Sequence, residues 1–352
     1  MRAAATDWQA VLREGTVIPA HPLALNAKRE LDKRRQRALA RYYLDAGAGG
    51  LAVGVHTTQF AIRERDLYEP VLRIAADVAR DWNPGADARV LIAGLCGRTA
   101  QALDEARLAR SLGYHAGLLS LAAMQGSDED ALIEHCAALA EAMPLVGFYL
   151  QPAVGGIELG AAFWARFAAI PNVVAIKVAP FNRYRTLQVM RGVVEAGAED
   201  RITLYTGNDD HIVLDLVTPF SVVRDGVPVR LRFRGGLLGH WSVWTQAAVH
   251  LLARCQAAVR GGAAIDAELL ALDSAVTDCN GAFFDVANDF RGCIAGCHEV
   301  LRRQGLLEGI WCLDPEEGLS PGQREQIDRV LAAYPALNDD AFVARNLERW
   351  LN

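Results

Sequence analysis

The feature that most constrains this chain is an alternation: over the first 240 residues, short apolar β-rich runs are separated by longer segments with helical periodicity. Eight such runs occur, at Thr16–Leu25, Gly49–Val55, Arg89–Leu95, Ala116–Leu121, Pro144–Leu150, Val173–Ala179, Ile202–Asn208 and Arg230–Gly239. Between them apolar residues recur at spacings of three and four, as in Leu31, Ala38, Leu39, Tyr42 and Tyr43, and again in Leu67, Val71, Ile74, Ala75 and Val78. Successive strands joined by helical crossovers run parallel, so the order predicts a parallel sheet. An open doubly wound sheet and a closed barrel both satisfy it. Eight units in about 240 residues is the usual barrel size, so the predicted fold is α/β, a (β/α)8 TIM barrel with a C-terminal helical extension.

Two departures from regularity are expected. The seventh helix is short and runs into Val217-Thr218-Pro219-Phe220, after which Asp225-Gly226 stands between apolar runs. That dipeptide favours a two-residue turn, which predicts a β-hairpin insertion near residues 220–232, just before the eighth strand. Beyond about residue 240 strand signals stop, and Trp241–Arg260, Ala264–Thr277, Phe283–Gln304 and Pro321–Ala333 read as helices, followed by a tail to Asn352. Residues 1–240 are therefore expected to form the barrel, and 241–352 its last helix plus a helical layer packed on it. No linker or repeat separates the two.

Composition narrows the partners. Lys and Arg total 36 against 42 acidic residues, a formal charge of −6, so no basic field exists to engage nucleic acid. Apolar residues make up 52% and charged residues 22%, enough for a large core. No apolar run approaches the roughly 18 to 20 residues of a membrane span, so no membrane partner is expected. Met1 to Asp7 lacks an apolar secretory core, and seven scattered cysteines read as reduced thiols, which together give a cytoplasmic expectation.

Lysine occurs only at positions 28, 33 and 177, which makes Lys177 conspicuous. It stands near the end of Val173-Val174-Ala175-Ile176-Lys177-Val178-Ala179, a run otherwise apolar enough to be a buried strand. A free lysine titrates near 10.4, so at pH 7 roughly one molecule in 2500 carries the neutral amine that attacks a carbonyl. Burial lowers that pKa and supplies what a Schiff-base lysine requires. A salt-bridged lysine at a barrel mouth is the alternative. Tyr149 closes the preceding run, where its hydroxyl could exchange protons with the lysine; a packed aromatic is the alternative there.

Tyr149 and Lys177 are 28 residues apart, and other segments fall in a suggestive order. Pro19-Ala20-His21-Pro22 ends the first run, His56-Thr57-Thr58-Gln59-Phe60 follows the second, Tyr149-Leu150-Gln151-Pro152 the fifth, and Thr206-Gly207-Asn208-Asp209-Asp210 the seventh. Over roughly residues 15–310 this ordered set resembles the dihydrodipicolinate synthase and N-acetylneuraminate lyase family of class I aldolases. The resemblance implies that Lys177 forms an imine with a pyruvate-type 2-oxo acid and that Tyr149 shuttles protons. It implies that Thr57 and Thr58 hold the substrate carboxylate through N–H groups and hydroxyls, and that Gly207 and Asn208 line the mouth. A covalent imine at Lys177 needs no cofactor and no metal, and the family commonly assembles as homodimers and homotetramers.

Departures from the family pattern are also legible. Five residues after the tyrosine, where dihydrodipicolinate synthases use an arginine to grip an aldehyde's carboxylate, stands Val154, followed by Gly155-Gly156. An apolar side chain does not replace a bidentate guanidinium. Leu121-Ala122-Ala123-Met124-Gln125 replaces a Pro-Tyr-Tyr relay, and Gln59-Phe60 replaces Gly-Glu after the threonines.

His56 and His21 close the second and first strands and are candidates for the barrel mouth, as acid/base groups or hydroxyl ligands; packed histidines are the alternative. Asp209 and Asp210 read as helix caps. Gly239-His240-Trp241 opens the helix after the eighth strand, and Cys293, Cys297 and His298 share one helical stretch as buried thiols and an imidazole rather than a metal site. The expected function is a lyase or aldolase acting on a 2-oxo acid by cleavage, condensation or dehydration. A catalytically altered barrel that binds a metabolite, and a metal-dependent aldolase, are the competing classes.

Overall fold

A computed structural model describes residues 7–82, 89–262 and 264–352. Met1 to Thr6, which carry most of the expected absence of a secretory core, lie outside the described residues. Among the described residues no helix is long and apolar enough to cross a membrane.

Eight parallel strands form the core: β1 (Val17–Pro19), β2 (Gly50–Val53), β3 (Val90–Leu95), β4 (Ala116–Leu119), β5 (Leu145–Leu150), β6 (Val173–Ala179), β7 (Thr203–Thr206) and β10 (Phe233–Leu238). Neighbours follow chain order from β2 through β7, then β10 and β1. The ring closes between β1 and β2 through a parallel bridge from Ala20 to Ala52, with the His21 N–H donated to the Ala52 carbonyl at 2.8 Å. Alternate side chains point inward. Ile18, Ala52, Ile92, Leu118, Val146, Ala175 and Leu237 fill the interior, while Val17, Leu51, Leu91, Ile176 and Val178 pack outward on the helices. Each buried Val, Leu or Ile among them contributes about 1.5–3 kcal/mol by leaving water.

The helices between strands are α2 (Lys33–Asp45), α3 (Tyr68–Asp81), α4 (Thr99–Ser111), α5 (Glu129–Ala142), α6 (Ala161–Ala169), α7 (Arg183–Glu195) and the short α8 (Ile212–Val217). A helix absent from the sequence reading, α1 (Trp8–Glu14), plugs the N-terminal end of the barrel. Leu12 joins the interior cluster, its carbonyl accepts the Tyr205 hydroxyl at 2.9 Å, and Trp8 stacks on His115. The expected insertion is an antiparallel hairpin, β8 (Phe220–Arg224) and β9 (Val227–Leu231), turned by Asp225 and Gly226 at φ 53° and 78°.

After β10 the barrel's last helix, α9 (Thr245–Gly261), packs on β1 and α8, and beyond it lie α10 (Ala267–Phe283), α11 (Cys293–Arg303), α12 (Gln323–Ala333) and α13 (Asp340–Leu351). Two expectations are corrected here. The helix predicted over Phe283–Gln304 starts only at Cys293, because Asp285, Asp289 and Phe290 adopt positive φ and break it. The supposed tail is α13, whose Trp350 is fully buried against Tyr42 of α2. Asp339 ties this layer together, accepting from the Tyr42 hydroxyl at 2.7 Å, the Gln246 N–H at 3.0 Å and the Gln304 amide at 2.8 Å.

Candidate active site

Alternation along β6 turns Ala175, Lys177 and Ala179 into the barrel, and the lysine emerges at the C-terminal mouth, where barrel enzymes build their sites. It is 8% exposed, and its ammonium lies 4.3 Å from the centroid of the Phe148 ring, the residue beside it in register on β5. Among the described residues its amine has no hydrogen-bond or ion-pair partner. Burial therefore pushes the Lys177 pKa down, against the opposing pull of Asp209 and of the Cys293 thiol. Gly207, on the loop after β7, makes room for this side chain: a Cβ there would meet Lys177 Cε at 2.7 Å and the Ala179 Cβ at 2.8 Å.

Asp209 is the acid that lines the same cavity. It is not the helix cap the sequence suggested, since α8 begins at Ile212 and no side chain caps it. Instead it accepts the His240 N–H at 3.3 Å and is 4% exposed. Burial raises its pKa, with the Lys177 charge pulling the other way. Burial thus shifts the lysine down and the aspartate up, so the proton affinities of the two groups lie closer together than in water. His56 also lines the cavity and is pushed down to about 4, first by burial and then by the Lys177 charge, so it is neutral at pH 7.

The cavity is narrow, with a volume of about 60 Å³. Thr57, His56, Lys177 and Gly207 meet in its wall. Three expected site residues do not join them. Tyr149 pairs in register with Val178, on the outward face of β5; its ring packs on Trp164 of α6 and its hydroxyl accepts the Leu159 N–H at 3.3 Å. The side chain beside Lys177 is Phe148, because strand neighbours point to opposite faces. Thr58 is also occupied elsewhere: its hydroxyl donates to the His21 carbonyl at 2.6 Å and accepts from the Gly54 N–H, and its own N–H binds the Val55 carbonyl. Asn208 donates to Asp215 at 2.9 Å and accepts the Phe181 N–H, which fixes the loops after β6 and β7 from behind. The Thr57 hydroxyl donates to the Ala20 carbonyl at 2.7 Å and so anchors β1 to the loop after β2.

His21 is buried away from the cavity with Nδ1 on the Pro22 carbonyl, and the His240 ring faces Asn280. Cys293 reaches the cavity wall from the start of α11, and among the described residues no three His, Cys, Asp or Glu side chains are grouped to hold a metal. Residues the sequence reading missed come largely from beyond the barrel: Phe284 and Phe290 roof the cavity from the segment between α10 and α11, joined by Phe181 from the loop after β6. A wider groove on the outer flank, between α3 and α4, holds the paired Arg63 and Glu105 and does not reach Lys177.

A profile of the dihydrodipicolinate synthetase family matches residues 14–219. Relatives called 4-hydroxy-tetrahydrodipicolinate synthase share 25% identity over 51% of this chain in Halorhodospira halophila and 28% over 58% in Desulforudis audaxviator; the matches span 57% and 66% of those relatives. Among solved structures, dihydrodipicolinate synthase from Acinetobacter baumannii complexed with pyruvate superposes with a TM-score of 0.73 at 19% identity, covering 90% of this chain and 98% of its own. CdNal from Clostridium difficile in complex with mannosamine gives 0.72 at 15%, covering 91% and 99%. At these identities the structural likeness speaks for the barrel fold.

Proposed function

This chain belongs to the dihydrodipicolinate synthetase family of lyases and aldolases, and from that premise we propose that Lys177 forms an imine with a 2-oxo acid and uses it to make or break a carbon–carbon bond. The carrying observation is the Lys177 amine, inside the mouth cavity, without a hydrogen-bond partner and with its pKa lowered by burial. The neutral amine attacks the carbonyl, water leaves, and the resulting iminium accepts the electron pair released when a proton or carbon substituent departs from C3. Asp209 is the group proposed to move protons, since Tyr149 faces away and neutral His56 is a poor proton source. The Thr57 backbone N–H and His56 are proposed to orient the substrate carboxylate, since the Thr57 hydroxyl is already donated to the Ala20 carbonyl. The covalent imine supplies the electron sink, so the mechanism calls on no separate cofactor.

The family relatives' named reaction is not part of the proposal, because Val154 lines the cavity where the resemblance calls for an arginine. Borohydride reduction in the presence of pyruvate, followed by peptide mass spectrometry, tests the assignment. Labelling at Lys177 is expected; no labelling with any 2-oxo acid would overturn it. The position of Phe148 beside the lysine, where a phenol was expected, favours a second reading, a barrel that binds a 2-oxo acid without turnover. Pyruvate that raises the melting temperature without labelling Lys177 would identify that case.

A further inference from the structure

The cavity lining is chemically mixed. His56, Thr57, Gln151, Lys177 and Asp209 supply its polar groups. Phe148, Leu150, Val154, Phe181, Phe284 and Phe290 make the rest of it strongly apolar. Among the described residues no arginine lines the cavity, and Lys177 is the one lining side chain that is cationic at neutral pH, because His56 is held neutral.

A 2-oxo acid bound at Lys177 brings one carboxylate, which uses the positive charge of the iminium. A second carboxylate on the reacting partner would be desolvated against aromatic rings, with Asp209 as a nearby like charge, and the neutral amide of Gln151 would not supply the opposite charge it needs. An uncharged ring there loses water on both faces and gains contact with the phenylalanines.

Backbone geometry points the same way independently. Phe181 and Phe290 sit at φ 48° and 64°, and Asp285 and Asp289, which flank the roof segment, at 57° and 53°. Left-handed conformations at residues other than glycine are held against a cost, and they are typically held where a side chain must be aimed. Here they bring the Phe181 and Phe290 rings to 5.9 Å, and both face the cavity. Phe284 packs so closely on the backbone after β10 that a Cβ on Gly239 would come within 2.7 Å of its ring.

We propose that the carbonyl compound joined to, or released from, the 2-oxo acid at Lys177 is an uncharged apolar aldehyde with an aromatic ring. The inference rests on the imine assignment above. In the condensing direction, C3 of the iminium loses a proton to Asp209, leaving the enamine; C3 then attacks the aldehyde carbon and the new alkoxide takes the proton back from Asp209. Water hydrolyses the imine, releasing a 4-aryl-4-hydroxy-2-oxo acid and the free Lys177 amine. Cleavage is the same sequence reversed, with no oxidant or reductant.

The test pairs pyruvate with either benzaldehyde or glyoxylate and follows adduct formation by chromatography, with borohydride labelling of Lys177 by pyruvate alone as a separate control. The expected result is labelling together with condensation of benzaldehyde at least about 10-fold faster than of glyoxylate, the scale on which a shaped apolar pocket discriminates. Val154→Arg is expected to narrow that ratio by raising the glyoxylate rate, and Phe290→Ala to raise KM for benzaldehyde by a larger factor than KM for glyoxylate. Labelling with glyoxylate preferred, or labelling with neither aldehyde condensed, would overturn the aromatic assignment while leaving the imine intact. Absence of labelling would instead remove the imine assignment on which it stands.

Discussion

Gly207 and Lys177 occupy one another's space: a Cβ on Gly207 would fall 2.7 Å from Lys177 Cε and 3.1 Å from Cγ, with the Ala179 Cβ closing the other side at 2.8 Å. The lysine chain can move, whereas Ala179 on its strand cannot. Gly207→Ala is therefore expected to swing the amine off its position over Phe148. We expect imine labelling and turnover to fall by about 10-fold or more, with a misplacement of roughly 1 Å sufficient for such a loss. Circular dichroism should show an intact barrel. Wild-type labelling rates in this variant would show that the glycine serves the turn alone.

Asp209 holds the Lys177 pKa up while burial holds it down. Asp209→Asn removes the upward pull, so the amine loses its proton at lower pH than in the wild type. In both proteins labelling should rise with pH through a midpoint below the free-lysine value near 10.4, and the variant's midpoint should be the lower of the two. Turnover should nevertheless drop about 100-fold, the scale of a lost general acid–base. A midpoint that is unchanged or higher would mean that the two groups are not coupled.

Tyr149→Phe removes a hydroxyl that accepts one backbone N–H on the outer face of β5. A stability loss of about 0.5–1.5 kcal/mol by urea denaturation is expected, with kcat changed by less than about 2-fold. A collapse of kcat with unchanged stability would restore the phenol to the chemistry.

His21, His240 and His298 are buried, and burial pushes each down to about 4. In the unfolded chain they titrate near 6.5 and so bind more protons than the folded protein between those values. Their contribution is complete above about pH 6.5 and is lost as pH falls toward 4, by up to about 1.4 kcal/mol per pH unit for each histidine. Denaturation midpoints at pH 7.5, 6 and 5 measure it; a midpoint that holds or climbs on acidification would contradict burial of the neutral rings.

These residues also mark how far the sequence could be read. Lys177 was legible because a charge inside a continuous apolar β run is costly without a reason. The hairpin was legible because Asp225-Gly226 carries its own turn preference. Tyr149 was misplaced because a 28-residue spacing conveys order along the chain and not the face of a strand, and a shift of one residue reverses every side chain. Asp209 was visible as a residue, but its partner, the His240 N–H, lies on a different βα loop and no local pattern connects them. The roof was hidden for another reason: Asp285, Asp289 and Phe290 leave the helical region without a glycine or proline among them to signal the break.

The roof segment has a consequence for the order of events during synthesis. All eight strands and Lys177 leave the ribosome before Phe284, Phe290 and Cys293 do, so the barrel can close around an amine that is still open to water. On the proposed mechanism the segment 284–293, which lines the cavity, adds to the burial that lowers the Lys177 pKa, so it would tie the reactivity of the amine to a part of the chain that follows all eight strands in sequence.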